Sequence, residues 1–141
     1  MLHVTILCQG RLKEKYFLAA CEEYKKRLTA FCRAEITELP ENGDLAAKIP
    51  KGSYVIALCI EGQRLSSPAL AELVARRSLE GDSHLCFLIG GSDGLAPAIK
   101  AAADFRLSMS DMTFPHHFAR VMLLEQLYRA FTINAGTKYH K

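Results

Sequence analysis

Hydrophobic and polar positions along the chain follow two rhythms. Leu2–Cys8 is a short apolar, β-rich run. Leu12–Phe31 then sets Phe17, Ala20, Cys21, Tyr24, Leu28 and Phe31 at helical spacing, with Lys13, Lys15, Glu22, Glu23, Lys25 and Lys26 on the other face. Ala34–Leu39 alternates as a strand does. Pro40–Gly52 is polar, with two prolines and two glycines, and reads as a connection holding a short helix at Asp44–Ile49. Tyr54–Ile60 is continuously apolar, the pattern of a strand buried on both faces, and Glu61-Gly62 is expected to stop it. Ser66 and Ser67 before Pro68 signal a helix start, so Ala69–Leu79 is the next helix and Gly81 its end.

The second half repeats the theme. Leu85–Ile89 is another buried apolar strand, broken by Gly90-Gly91-Ser92-Asp93-Gly94. Ala96–Ala103 is a short helix, Phe105–Leu107 a third strand, and Ser108–Thr113 a polar turn. Pro115–Ile133 is a long helix with Phe118, Val121, Leu124, Tyr128 and Phe131 on one stripe, closed by Gly136. The tail is Thr137-Lys138-Tyr139-His140-Lys141. Strands and helices alternate throughout, so the fold class is α/β with a mainly parallel sheet and helices on both faces. The 141 residues correspond to one domain, 1–141, large enough to hold a core without disulfides or metals.

Composition changes this picture little. Half the residues are hydrophobic, which excludes disorder for the body of the chain. Five cysteines, at 8, 21, 32, 59 and 86, form no CxxC pair. Cys8, Cys59 and Cys86 lie in apolar runs, as reduced core thiols of a cytoplasmic protein would. No basic leader, cleavage site or membrane-length apolar run is present. Net charge is only +3, but from His116 onward the single acid is Glu125, against Arg120, Arg129, Lys138 and Lys141. That end fits an anionic partner or a solvated helix face equally well.

Three features carry candidate chemistry. A buried strand running into Gly90–Gly94 puts bare backbone at its carboxyl end, where open α/β sheets bind ligands. Its GGxxG spacing is neither the dinucleotide fingerprint nor the P-loop, and a tight strand-to-helix turn is the plain alternative. Leu107–His116 also joins a strand to a helix. With Leu58 at the end of Tyr54–Ile60, the two loops would form one cleft if their strands are neighbours. Apolar walls with backbone polar groups suit a flat heteroaromatic ring such as adenine. The third feature is His116-His117-x-x-Arg120 with the tail. His116 and Arg120 share a helix face, Arg can grip phosphate, and Tyr139 and His140 can stack on exposed RNA bases. The alternatives are a helix-start cap and a frayed end. No catalytic triad, carboxylate dyad or metal cluster is evident, so hydrolysis and metal catalysis lose ground.

Taken together, Leu88–Gly94, Ser110–His116 leading to Arg120, Leu124–Ala130 and Tyr139-His140-Lys141 closely resemble the SPOUT family, in its small ribosomal large-subunit pseudouridine N3-methyltransferase branch. The likeness extends over nearly the whole chain. One departure is Pro40–Ser53, which is shorter than is usual in the family and is expected to lie away from the cleft. The resemblance implies a trefoil-knotted fold, S-adenosylmethionine (SAM) as methyl donor, no metal, and a homodimer. It implies SAM contacts at Leu58, Gly90, Met109, Ser110, Asp111, Met112, Thr113 and Phe114. It implies a substrate pseudouridine in helix 69 of 23S rRNA within assembled ribosomes. His140 or His116 is expected as proton acceptor, with Arg120 or Arg129 stabilising the anion. Arg120, Arg129, Lys138, Tyr139, His140 and Lys141 are expected to meet RNA, the tail near a partner's site. Two other readings stand beside this: a catalytically silent ribosome- or RNA-binding factor of the same fold, and a flavodoxin-like nucleotide-binding protein.

Overall fold

The computed structural model describes residues 1–141. Five strands form one sheet: β1 (Leu2–Gln9), β2 (Cys32–Leu39), β3 (Tyr54–Arg64), β4 (His84–Ile89) and β5 (Phe105–Ser108). Their spatial order is β2-β1-β4-β3-β5, and every pairing is parallel. Three α-helices connect strands, α1 (Lys15–Leu28), α2 (Ser67–Leu79) and α3 (Pro97–Ala102), and α4 (His116–Ala135) follows β5. A single 3-10 turn, Ala46–Lys48, stands where a short helix was expected. The α/β parallel class thus follows from the alternating pattern.

Both faces of the sheet are covered. α4 packs against α1 and α2 on one face. There Val4, Ile6, Phe87, Leu123, Leu124 and Leu127 form the larger core. On the other face Leu7, Leu45, Ala57, Leu88 and Leu95 form a smaller one, with Ile99 of α3 packed on it. Burying strands from both sides explains the unbroken apolar runs Ile6–Cys8 of β1 and Leu85–Ile89 of β4. Cys8, Cys21, Cys32 and Cys86 are buried and unpaired. Burial pushes the Cys8 and Cys86 thiols up to about 12, so they remain protonated core residues.

Several boundaries differ from the sequence pattern. α1 begins at Lys15, not Leu12, because Leu12 turns into the core while its N–H donates to Glu38 at 2.8 Å. Glu61-Gly62 does not end β3, which runs on to Arg64. Instead the ladder shifts: both Leu58 and Gln63 pair with Leu107, leaving the residues between them bulged out. Gly62 makes this possible, since a Cβ there would stand 2.7 Å from the Arg106 backbone. The buried stripe of α4 is also rotated. Leu123, Leu124, Leu127, Ala130 and Phe131 face inward, while Phe118 is 46 % exposed. Wedged between α1 and α2, α4 buries a wider face than one amphipathic stripe.

Candidate active site

The strands of the two functional loops are not neighbours, since β3 lies between β4 and β5. The loops nevertheless meet over the end of β3. A cleft of about 690 Å³ opens there, lined by Leu58–Glu61, Ile89–Leu95, Leu107–Ser110 and Met112–His116, with Lys100 and Ala119. Leu58, Gly90, Met109, Ser110, Met112, Thr113 and Phe114 all line it, as expected. Asp111 is in the same loop but turns outward to pair with Arg64. The bulge in β3 supplies Cys59, Ile60 and Glu61, which the sequence pattern did not single out. Glu61 on the rim pairs with Lys100 at 2.5 Å, and that bond holds its carboxyl below the usual range.

The glycine loop is tightly set. At Gly90 a Cβ would lie 2.6 Å from the Leu95 N, so only glycine lets the loop close on itself. Gly91 N–H donates to Gln9 Oε1 at 3.4 Å. Ser92 donates to Glu41 Oε1 from its N–H at 2.6 Å and from its hydroxyl at 3.1 Å. Those two bonds hold the Glu41 carboxyl below its usual range. The Pro40–Ser53 connection was expected to lie away from the cleft. Its first residues instead brace the loop that forms the cleft wall.

The loop after β5 is built differently. Ser108 Oγ donates to the Ser110 carbonyl at 3.1 Å, and Met112 N–H donates to Ser110 Oγ at 3.0 Å. Met112 is 73 % exposed at the mouth. His116, the first residue of α4, lines the cleft, and its Nε2 is buried without a hydrogen-bond partner. Burial first, and then its neighbour His117, lower the His116 pKa. Its imidazole is therefore neutral at neutral pH and able to accept a proton.

Two expected site residues stand elsewhere. Arg120 is only 3 % exposed and faces inward. It donates to Glu38 Oε2 at 2.5 Å and to the Gly10 carbonyl at 3.2 Å, tying α4 to the ends of β1 and β2. Within the chain it can neither grip RNA phosphate nor reach the cleft. Burial opposes ionisation of Glu38, but Arg120 and the Leu12 N–H outweigh it and hold that carboxyl below the usual range. His140 is also outside the cleft. Arg129 donates to His140 Nδ1 at 3.1 Å, and Arg129 lies 13 residues beyond His116 on α4, about 20 Å along its axis.

The tail is not frayed. Tyr139 OH donates to Glu125 Oε2 at 2.8 Å, which Arg129 also engages at 2.8 Å. The Tyr139 ring packs edge-on against Tyr128, 4.8 Å between centroids, and lies under the Arg129 guanidinium. Burial and the Glu125 bond push the Tyr139 phenol up to about 12. Lys138 and Lys141 are exposed beside this cluster. No group of three or more His, Cys, Asp or Glu side chains is placed to hold a metal ion. No helix is long and apolar enough to cross a membrane.

Comparison with known proteins agrees with this geometry. Residues 2–140 match the family model described as a predicted SPOUT methyltransferase. Ribosomal RNA large subunit methyltransferase H of Clostridioides difficile (strain 630) is 44% identical over 159 residues, covering 99% of this chain and 100% of that protein. The protein of the same name from Bifidobacterium animalis subsp. lactis is 43% identical with the same coverage. Those alignments run longer than this chain of 141 residues, so the relatives carry residues it lacks. A solved structure, a probable methylase family protein from Haemophilus influenzae Rd KW20, superposes with a TM-score of 0.60. It covers 99% of this chain and 70% of that one at 12% identity, a likeness of fold alone. By its full-length family match and these relatives, the chain belongs to the SPOUT methyltransferase family.

Proposed function

We propose that this protein is a SAM-dependent methyltransferase that modifies N3 of a pseudouridine in helix 69 of 23S rRNA in assembled ribosomes. The observation that carries the reading is the cleft over the carboxyl ends of β3, β4 and β5. Its volume and lining fit the donor: apolar walls from Leu58, Leu95 and Met109 for the adenine, and backbone polar groups of the glycine and Ser108–Thr113 loops for its edges. When bound, SAM supplies a methyl group made electrophilic by its sulfonium. The names of the curated relatives, ribosomal RNA large subunit methyltransferase H, support rRNA as the substrate.

N3 of pseudouridine is a weakly acidic imide and attacks poorly while protonated. His116 Nε2, neutral and unpartnered at the cleft, is the side chain of this chain suited to take the N3 proton. Met112 and Phe114 at the mouth exclude water from the reacting groups. Precise placement contributes about 7–11 kcal/mol and the base about 10²–10⁴-fold, so positioning dominates.

The protein is a homodimer, and the tail of one subunit serves the site of the other. What supports this is the tail's distance from its own cleft and its ordered, cationic surface at Arg129, Lys138 and Lys141. The implied knot belongs to the segment after β4, where the chain crosses β3 to reach β5 and returns through α4. Calorimetry with SAM separates an enzyme from a silent ribosome-binding factor, which would bind no donor. Single-turnover transfer of labelled methyl to unmodified ribosomes then tests the reaction. His116→Ala is expected to lower that rate by at least 10²-fold with SAM affinity retained; an unchanged rate removes His116 as the base.

A further inference from the structure

A second cavity, of about 430 Å³, adjoins the donor cleft and shares His116 and Ser92 with it. No hydrophobic residue lines it, so its walls are polar where those of the donor cleft are largely apolar. Its wall holds two cations, Arg11 and Lys13, two carboxylates, Glu14 and Glu41, and the His116–His117 pair. The two imidazole rings lie 4.1 Å apart. His116 Nε2, His117 Nε2 and Glu14 Oε2 are all buried without a hydrogen-bond partner. Buried polar atoms are normally paired, and with His116 Nε2 assigned to the donor cleft, the His117 and Glu14 orphans on one cavity mark a place that a ligand completes.

The lining restricts that ligand. Glu41 is already engaged by Ser92, whereas Arg11 and Lys13 make no ion pair within the chain. Two free cations seek an anion. Glu14 Oε2 lies 3.6 Å from His117 Nδ1, beyond hydrogen-bond reach, and still lacks a donor, which a bare phosphate does not provide. A ribose–phosphate unit provides both: phosphate oxygens for Arg11 and Lys13, and a sugar hydroxyl for Glu14. The 2′-hydroxyl also distinguishes RNA from DNA. We propose that this cavity holds a ribose–phosphate unit of the RNA strand, beside the nucleotide whose base enters the donor cleft. The inference rests on the rRNA methyltransferase reading above. Through His116 the strand passes directly from this cavity to the cleft.

The test measures binding of the labelled full-length protein to ribosomes from cells lacking it, over a series of salt concentrations. The Arg11→Ala/Lys13→Ala double variant changes two exposed side chains, and His117→Ala is a second, independent variant. The double variant is expected to bind ribosomes at least tenfold more weakly, with a salt dependence shallower by about one unit of log–log slope per cation removed. Its SAM affinity by calorimetry stays within twofold of wild type. Oligouridylate is expected to compete with ribosomes several-fold better than oligodeoxyuridylate of equal length. Unchanged ribosome affinity and slope in both variants overturns the proposal, as does a parallel loss of SAM affinity. Equal competition by the two oligonucleotides removes the ribose. If the wild type binds ribosomes but transfers no methyl, the proposed function fails while the binding comparison still decides the cavity.

Discussion

The loop after β4 is held from three sides, whereas the loop after β5 is held chiefly by itself. Gly90–Gly94 folds tightly on its own backbone, donates a hydrogen bond to Gln9 of β1, and is braced by Glu41 across the connection after β2. Ser108–Thr113 has local serine bonds and one exposed ion pair, Arg64–Asp111. The glycine loop is thus a fixed wall, tied to strands far away in sequence. The second loop has few buried contacts and can yield when a ligand enters. Pre-set geometry on one side and give on the other fit a site that must admit a large donor and then hold it.

The comparison breaks most severely at Gly90. Gly90→Ala forces a Cβ into the Gly94–Leu95 backbone and is expected to cost about 3 kcal/mol, read as a lower urea midpoint, with SAM binding lost. Next is Arg120→Met, which leaves Glu38 without its partner at the ends of β1 and β2. Because Glu38 is 27% exposed, the expected loss is about 3 kcal/mol, the low end for a broken buried pair. Glu38 has a lowered folded pKa, so its share of the stability is present above the unfolded carboxylate value and lost as pH falls through the folded one. The variant should flatten that acid dependence. Glu41→Ala should loosen the glycine wall alone: about tenfold weaker SAM binding by calorimetry, with the urea midpoint little changed. Arg64→Ala should change stability by less than about 1 kcal/mol, since the pair is exposed, and speed SAM dissociation a few-fold. If Arg64→Ala weakens SAM as much as Glu41→Ala does, the two loops are not different in kind.

Titration sharpens the same contrast. The His116 pKa is lowered from 6.5, so the proposed base is lost only when pH falls below that value. The acid limb of single-turnover methylation should therefore lie below pH 6.5, and His116→Ala should abolish it. A limb above 6.5 would assign it to another group.

Much of the frame was legible in the chain. Leu85–Ile89 and the Gly90 break predicted β4 and its loop to within a residue, because a doubly buried strand must be apolar and a tight turn needs glycine. Ser66 indeed caps α2, accepting from Ala69 N–H at 3.2 Å. What the pattern missed depends on partners far away in sequence. Arg120 carries the same charge whether it faces RNA or Glu38, which lies 82 residues earlier. Glu41 gives no local sign that it will reach Ser92. Glu61-Gly62 reads as a strand end, yet Gly62 is there to let the β3 bulge pass close to Arg106. A frayed tail stands as an alternative in the sequence because its apolar anchor, Tyr128, and its acceptor, Glu125, lie on the preceding helix.

The central claim is methyl transfer to N3 of a helix 69 pseudouridine through the cleft over β3, β4 and β5. Mass spectrometry of 23S rRNA from cells with and without this protein tests it most directly. The account predicts that one methyl group on that pseudouridine disappears in the deletion and returns with the wild-type protein but not with Gly90→Ala. Persistence of the methylated pseudouridine in the deletion would contradict it.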